Sequence, residues 1–183
     1  MLNMAYPESN SALYRAVVGL DALLARCPSF QRRVAGDREA SEVVARRKIE
    51  LLEYEAEPTE LQRRRPFAAI WPMTTGWSRK TLEEYDAMGT VALLLTDVDR
   101  KGHHDNQARR ASGLDFLRWA GEVVEDLLAS AARHDADLAI REIRQEENDG
   151  PGRNATRDAP ATDSGQPTGY WWVMYRIDWG HGG

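Results

Sequence analysis

The chain has 183 residues, 42% hydrophobic and 29% charged, with a formal net charge of −5. That is enough for one domain with a real core and too little to expect two, and the acidic balance argues against a dedicated nucleic-acid binder, whose footprint is a strong basic excess. Cys27 is the only cysteine, which excludes an intramolecular disulfide and a cysteine-rich metal site. No apolar run reaches the roughly 20 residues of a membrane-spanning helix. No basic-then-apolar run opens the chain, so the sequence reads as a protein made in a reducing cytoplasm.

In chain order, Ser9, Asn10 and Ser11 offer caps to a first helix. Leu13, Val17, Leu20, Leu24 and Cys27 recur in it at helical spacing until Pro28 ends it. Asp37 is placed to cap a second, weaker helix through Val43, Val44 and Arg47. Residues 49–60 are ambiguous, because Ile49, Leu51 and Leu52 either end that helix or start a short strand. Phe67-Ala68-Ala69-Ile70-Trp71, bounded by Pro66 and Pro72, reads as a strand. A polar connection holding Trp77 follows, then a helical turn over 81–88 that Gly89 stops. The run from Thr90 to Thr96 is apolar on both faces and belongs in the middle of a sheet.

Ser112 and Asp115 resemble a capping box for the longest helix. Leu114, Leu117, Gly121, Val124 and Leu128 follow at helical spacing, with Phe116, Ala120, Val123 and Leu127 beside them. Residues 138–144 form a strand whose alternation slips between Ile140 and Ile143, the mark of a bulge or of an exposed end. Residues 146–169 carry Gly, Pro, Asp, Asn, Ser and Thr with no hydrophobic period and read as a long polar loop.

The last strand, residues 170–179, alternates most informatively. Trp171, Val173, Tyr175, Ile177 and Trp179 share one side and must face a core. Tyr170, Trp172 and Met174 share the other, and such a cluster wants a second cover, either another part of this chain or another subunit. These three, with Trp77, are the candidate subunit-interface residues. The expected architecture is one α+β domain over residues 1–183: a four-stranded, largely antiparallel sheet, with the long helix and the N-terminal helix packed on one face.

Catalytic chemistry has little to build on. Asp97, Asp99, His103, His104 and Asp105 form the nearest thing to a metal-binding segment, and a metal-dependent enzyme using them is one alternative reading. The segment starts like a calcium loop, but Lys101 occupies a ligand position and Ala108 stands where a bidentate glutamate is needed. No Gly-x-Ser-x-Gly elbow, phosphate-binding loop or dinucleotide fingerprint is present. No catalytic, cofactor-binding or metal residue is therefore assigned, and the reading is of a non-enzyme without cofactors. A second alternative is a small nucleic-acid-binding module, with Arg63, Arg64 and Arg65 holding phosphates and Trp71 and Trp77 stacking bases.

The order of elements, the Arg65-Pro66-Phe67-Ala68-Ala69-Ile70-Trp71-Pro72 strand, the long helix and the closing Tyr175-Arg176-Ile177-Asp178-Trp179-Gly180 resemble the tail terminator (tail-completion) proteins of tailed bacteriophages and related neck proteins. The likeness runs over residues 66–180 and is one of element order and hydrophobic pattern. It implies a structural subunit of a hexameric ring in the virion neck, assembled in the host cytoplasm. Its implied partners are the tail tube protein and the head–tail connector, with passive contact to DNA in the lumen and no membrane. Loop 146–169 and segment 49–60 depart from the shorter members of that family.

Overall fold

The computed structural model describes residues 12–51, 65–79, 85–98, 106–131, 139–145 and 170–180. The chain is α+β. Helices α1 (Ala12–Arg26), α2 (Pro28–Ala35) and α3 (Glu42–Arg46) lead into strands β1 (Ile49–Leu51), β2 (Phe67–Arg79) and β3 (Tyr85–Val98). Helix α4 (Asn106–Ala131) and strands β4 (Ala139–Gln145) and β5 (Tyr170–Gly180) follow.

The sheet has five strands in the order β1-β2-β3-β5-β4, which corrects the expected four. The added strand is β1, three residues pairing parallel with Ala68–Ile70 at the edge, which resolves the ambiguity at Ile49 and Leu51 in favour of a short strand. The other pairings are antiparallel. Strands β2 and β3 form a hairpin much longer than their apolar cores. Residues 85–88, expected as part of a helical turn, are strand, and Trp77 lies in β2 opposite Ala87 rather than in a connection. Thr, Trp and Tyr favour extended backbone, so the polar stretch continues the ladder past an irregularity between Pro72 and Thr74. The slip foreseen in β4 is present as a register shift between Ile140 and Glu142.

The N-terminal helices also differ from expectation. Pro28 ends α1 at Arg26 but opens α2, since proline lacks only an N–H that the first helical turn leaves unpaired anyway. Phe30 and Val34 of α2 are buried. Gly36, at φ 59°, closes α2 in the left-handed region. Ser41, not Asp37, caps α3, its Oγ accepting from the Val44 N–H at 3.3 Å. Helix α4 begins at Asn106, ahead of the expected capping box. Ser112 is instead a side-chain partner of β5, its Oγ accepting from Trp171 Nε1–H at 3.0 Å.

Helices α1, α2 and α4 cover one face of the sheet. Trp171, Val173, Tyr175, Ile177 and Trp179 of β5 are all buried there, with Val91, Leu93 and Leu95 of β3 and Ala68 and Ile70 of β2. On α4 the core stripe is Phe116, Trp119, Ala120, Val123 and Leu127. Leu114, Leu117 and Leu128, expected inside, are 66%, 40% and 45% exposed. Both stripes have three-and-four spacing, but the buried one carries Phe116 and Trp119, which remove more apolar area from water. Trp119 stacks on Phe30 with ring centroids 6.4 Å apart and meets Phe116 edge-on at 5.6 Å. Gly113 lets α4 settle on the sheet, since a Cβ there would stand 3.2 Å from the Trp171 ring.

Two measurements follow from this packing. Ile177→Ala removes a side chain that is 1% exposed and is expected to cost about 2–5 kcal/mol in denaturant unfolding. Cys27 is fully buried, and burial, helped by the Asp126 charge, pushes its thiol up to about 12. Alkylating reagents at pH 8 are therefore expected to modify it only after denaturation.

Candidate functional site

Alternation puts a second set of side chains on the face away from the helices. The register aligns them in rows. Phe67, Thr96 and Trp172 form one row, Ala69, Leu94 and Met174 the next, and Trp71, Ala92, Arg176 and Arg144 a third. A fourth holds Thr90, Asp178 and Glu142. The face thus grades from apolar to charged. Phe67, Ala69, Ala92 and Thr96 are buried, whereas Trp71, Leu94, Trp172, Met174, Arg176 and Asp178 are half-buried. Among the described residues, no helix packs over this face.

Polar contacts hold the rows in place. Arg65 Nε–H donates to Thr96 Oγ1 at 3.0 Å, and Thr96 Oγ1–H donates to the Trp171 carbonyl at 2.9 Å. At the charged end Thr90 Oγ1–H donates to Asp178 Oδ1 at 3.0 Å, while Arg144 pairs with Glu142 and approaches Asp178 at 3.6 Å. Arg65 and Trp71 therefore lie on the open face, and Trp71 is not the core residue that a proline-bounded apolar strand invites one to assume.

The four candidate interface residues divide. Trp172 and Met174 sit in neighbouring rows, both half-buried. Tyr170 pairs in backbone register with Val98, one row beyond Trp172. Trp77 is opposite Ala87, nine residues along β3 from the partner of Trp172, or about 30 Å at strand rise. The structure does not bring it into this cluster. The side chains of Tyr170 and Trp77 lie outside the described residues, as do loop 146–169, Arg63 and Arg64. Trp71, Leu94 and Phe67, which complete the cluster, escaped sequence reading because only the β2–β3–β5 register places them beside β5.

The metal-binding alternative loses its first residue. Asp97 faces the helices, fully buried; its Oδ2 accepts from Arg33 Nε–H at 2.6 Å and its Oδ1 from the Val98 N–H at 2.7 Å. Arg33 also donates from Nη1 to Asp115 Oδ2 at 2.7 Å and lies 5.5 Å from the Trp119 ring centroid. This cation ties α2 to β3 and α4, so Asp97 is a structural anchor. Asp99, His103, His104 and Asp105 lie outside the described residues, and no group of three metal-ligating side chains occurs among those described. No helix among the described residues is long and apolar enough to cross a membrane. A scan against protein-family models finds no match for this chain, and a search of curated proteins finds none either.

The Arg33 bridge carries a pH dependence. Hydrogen bonding and charge from Arg33, against a smaller effect of burial, hold Asp115 below its ordinary value of 3.8. Its contribution is complete above that value and is lost as pH falls through the lower folded value. Asp21 runs the other way, since burial, opposed by Arg46, raises its carboxyl. Its contribution is therefore greatest in acid and is lost as pH rises. Asp115→Asn is expected to flatten the fall in stability below about pH 4, as read by thermal melts at stepped pH.

Proposed function

We propose that this chain is a structural assembly subunit of the neck of a tailed bacteriophage. In this reading it acts as a tail terminator, forming a ring that caps the tail tube and joins it to the head connector. The observation that carries the reading is the open sheet face. Its apolar rows, with Trp71, Leu94, Trp172 and Met174 only half-covered, form a surface that a neighbouring copy would complete. A head-to-tail ring needs two different complementary patches on each subunit, and this face supplies one. The order of elements across residues 66–180 supports the family assignment, a ring of six copies and an origin in the virion. The net charge of −5 suits a lumen that passes DNA without holding it. No reacting group is required, so the reading is of a non-enzyme.

A second reading is favoured by one observation. Trp71 and Trp172 share the open face with Arg65 and Arg176, an arrangement of aromatic rings and cations able to stack bases and hold phosphates. Fluorescence titration with a single-stranded oligonucleotide separates the two. Salt-sensitive quenching of these tryptophans supports base stacking, and none at low salt removes it.

For the ring, Trp172→Asp is the discriminating variant. Sedimentation of the wild-type chain is expected to show a closed oligomer. The variant is expected to keep its circular dichroism and fall below ring mass. A wild-type chain that stays monomeric at about 100 μM and is absent from purified particles contradicts the proposal.

A further inference from the structure

The outer flank of α4 carries a second apolar stripe that the fold uses only in part, at Val124, which is half-buried against the core. Leu114, Gly121 and Leu128 are seven apart, with Leu117 and Val124 between them. This is the three-and-four repeat of a coiled-coil seam, about four helical turns long. The three leucines are exposed. Gly121, at the centre, is among the least favourable residues for a helix interior. Yet nothing lies within 4 Å of where its Cβ would be, so no neighbour within the protomer demands a glycine. The result is a notch in the middle of a leucine stripe, open to the outside.

We propose that this stripe binds a second copy of itself, α4 against α4, antiparallel about a two-fold axis at Gly121. The pattern is self-complementary in that register. Leu114 of one protomer meets Leu128 of its partner at both ends, Leu117 faces Val124, and the two glycines let the helix backbones approach at the crossing. The flanking charges set the direction. Arg118 and Glu125 occupy equivalent positions beside the seam one heptad apart, and antiparallel pairing brings each Arg118 opposite a Glu125 across the axis, twice. Parallel pairing sets Arg118 beside the small apolar residues Gly113 and Ala120 instead. Arg118 is bound within its own protomer by Asp115 at 2.7 Å and approached by Glu122 at 3.9 Å. Its side chain is 71% exposed, which leaves other guanidinium N–H groups for the partner's carboxylate.

This contact does not rest on the ring. It uses the outer flank of α4, whereas the ring uses the open sheet face, so the two contacts can be separated by mutation. The test is sedimentation equilibrium over a concentration series of the full chain in the Trp172→Asp background, which removes the sheet contact. A monomer–dimer equilibrium is expected there. Gly121→Leu is expected to raise the thermal midpoint of the dilute protein, because the site is open and leucine favours helix. The same change should weaken dimerisation about tenfold or more by filling the notch. Glu125→Arg is expected to weaken it by a similar factor, and Arg118→Glu with Glu125→Arg to restore it. A chain that stays monomeric in this background overturns the proposal, and so does dimerisation unchanged by Gly121→Leu and Glu125→Arg. Loss in the single variant without restoration in the double overturns the antiparallel register. A wild-type oligomer with no dimer in the Trp172→Asp background leaves the ring standing and removes this contact alone.

Discussion

The two-residue period of β5 is the constraint on which the structure turns. Each step along the strand sends a side chain to the opposite face. Five alternate residues, Trp171 to Trp179, line the inner face and are all buried. A slip of one residue would carry all five outward and bring Trp172, Met174, Arg176 and Asp178 inward, placing two charges in the core. Trp171 links this register to the helical layer: its ring lies against Gly113 and its indole N–H bonds Ser112, both on α4. Once the inner face is set, the outer rows follow without further freedom, and their apolar content is a consequence of sequence rather than of packing.

The helices are held to the sheet by more than apolar contact. Arg33 joins α2 to the buried Asp97 at the end of β3 and to Asp115 on α4. Asp126 of α4 accepts from both the N–H and the hydroxyl of Ser29 at 2.9 and 2.6 Å, and Trp119 Nε1–H donates to the Ser29 carbonyl at 3.2 Å. A buried carboxylate such as Asp97 is tolerated because its oxygens are fully engaged. Among the described residues, these bonds fix the helices on one side of the sheet, and half-covered or exposed apolar groups lie on the opposite face and on the outer flank of α4.

What the sequence revealed, and what it hid, follows from how local each signal is. The inner face of β5, the apolar run of β3 and the bulge in β4 were legible because alternation is a nearest-neighbour property. The fifth strand was legible only as one of two alternatives at Ile49 and Leu51, because three residues at an edge carry no period. Helix α2 was hidden by treating Pro28 only as a terminator. In α4 two apolar stripes of similar spacing lie side by side, so the sequence named Phe116, Ala120, Val123 and Leu127 together with Leu114, Leu117 and Leu128 without separating the buried set from the exposed one, and it missed Trp119. Asp97 read as the first residue of a metal-binding segment because its partner Arg33 is 64 residues away. For the candidate site, Trp172 and Met174 were visible from their own strand. Trp71 and Leu94 became their neighbours only through pairing between strands, which the sequence does not display.

The central claim is that the open sheet face is covered when copies associate. Hydroxyl-radical footprinting read by mass spectrometry at low and high protein concentration tests it most directly. Met73 is exposed at 37%, falls at the irregularity of β2 outside these rows, and serves as an internal reference. The account predicts that oxidation of Trp172 and Met174 falls as the protein associates, while Met73 continues to react. Association that leaves Trp172 and Met174 as reactive as in the dilute protein would contradict it.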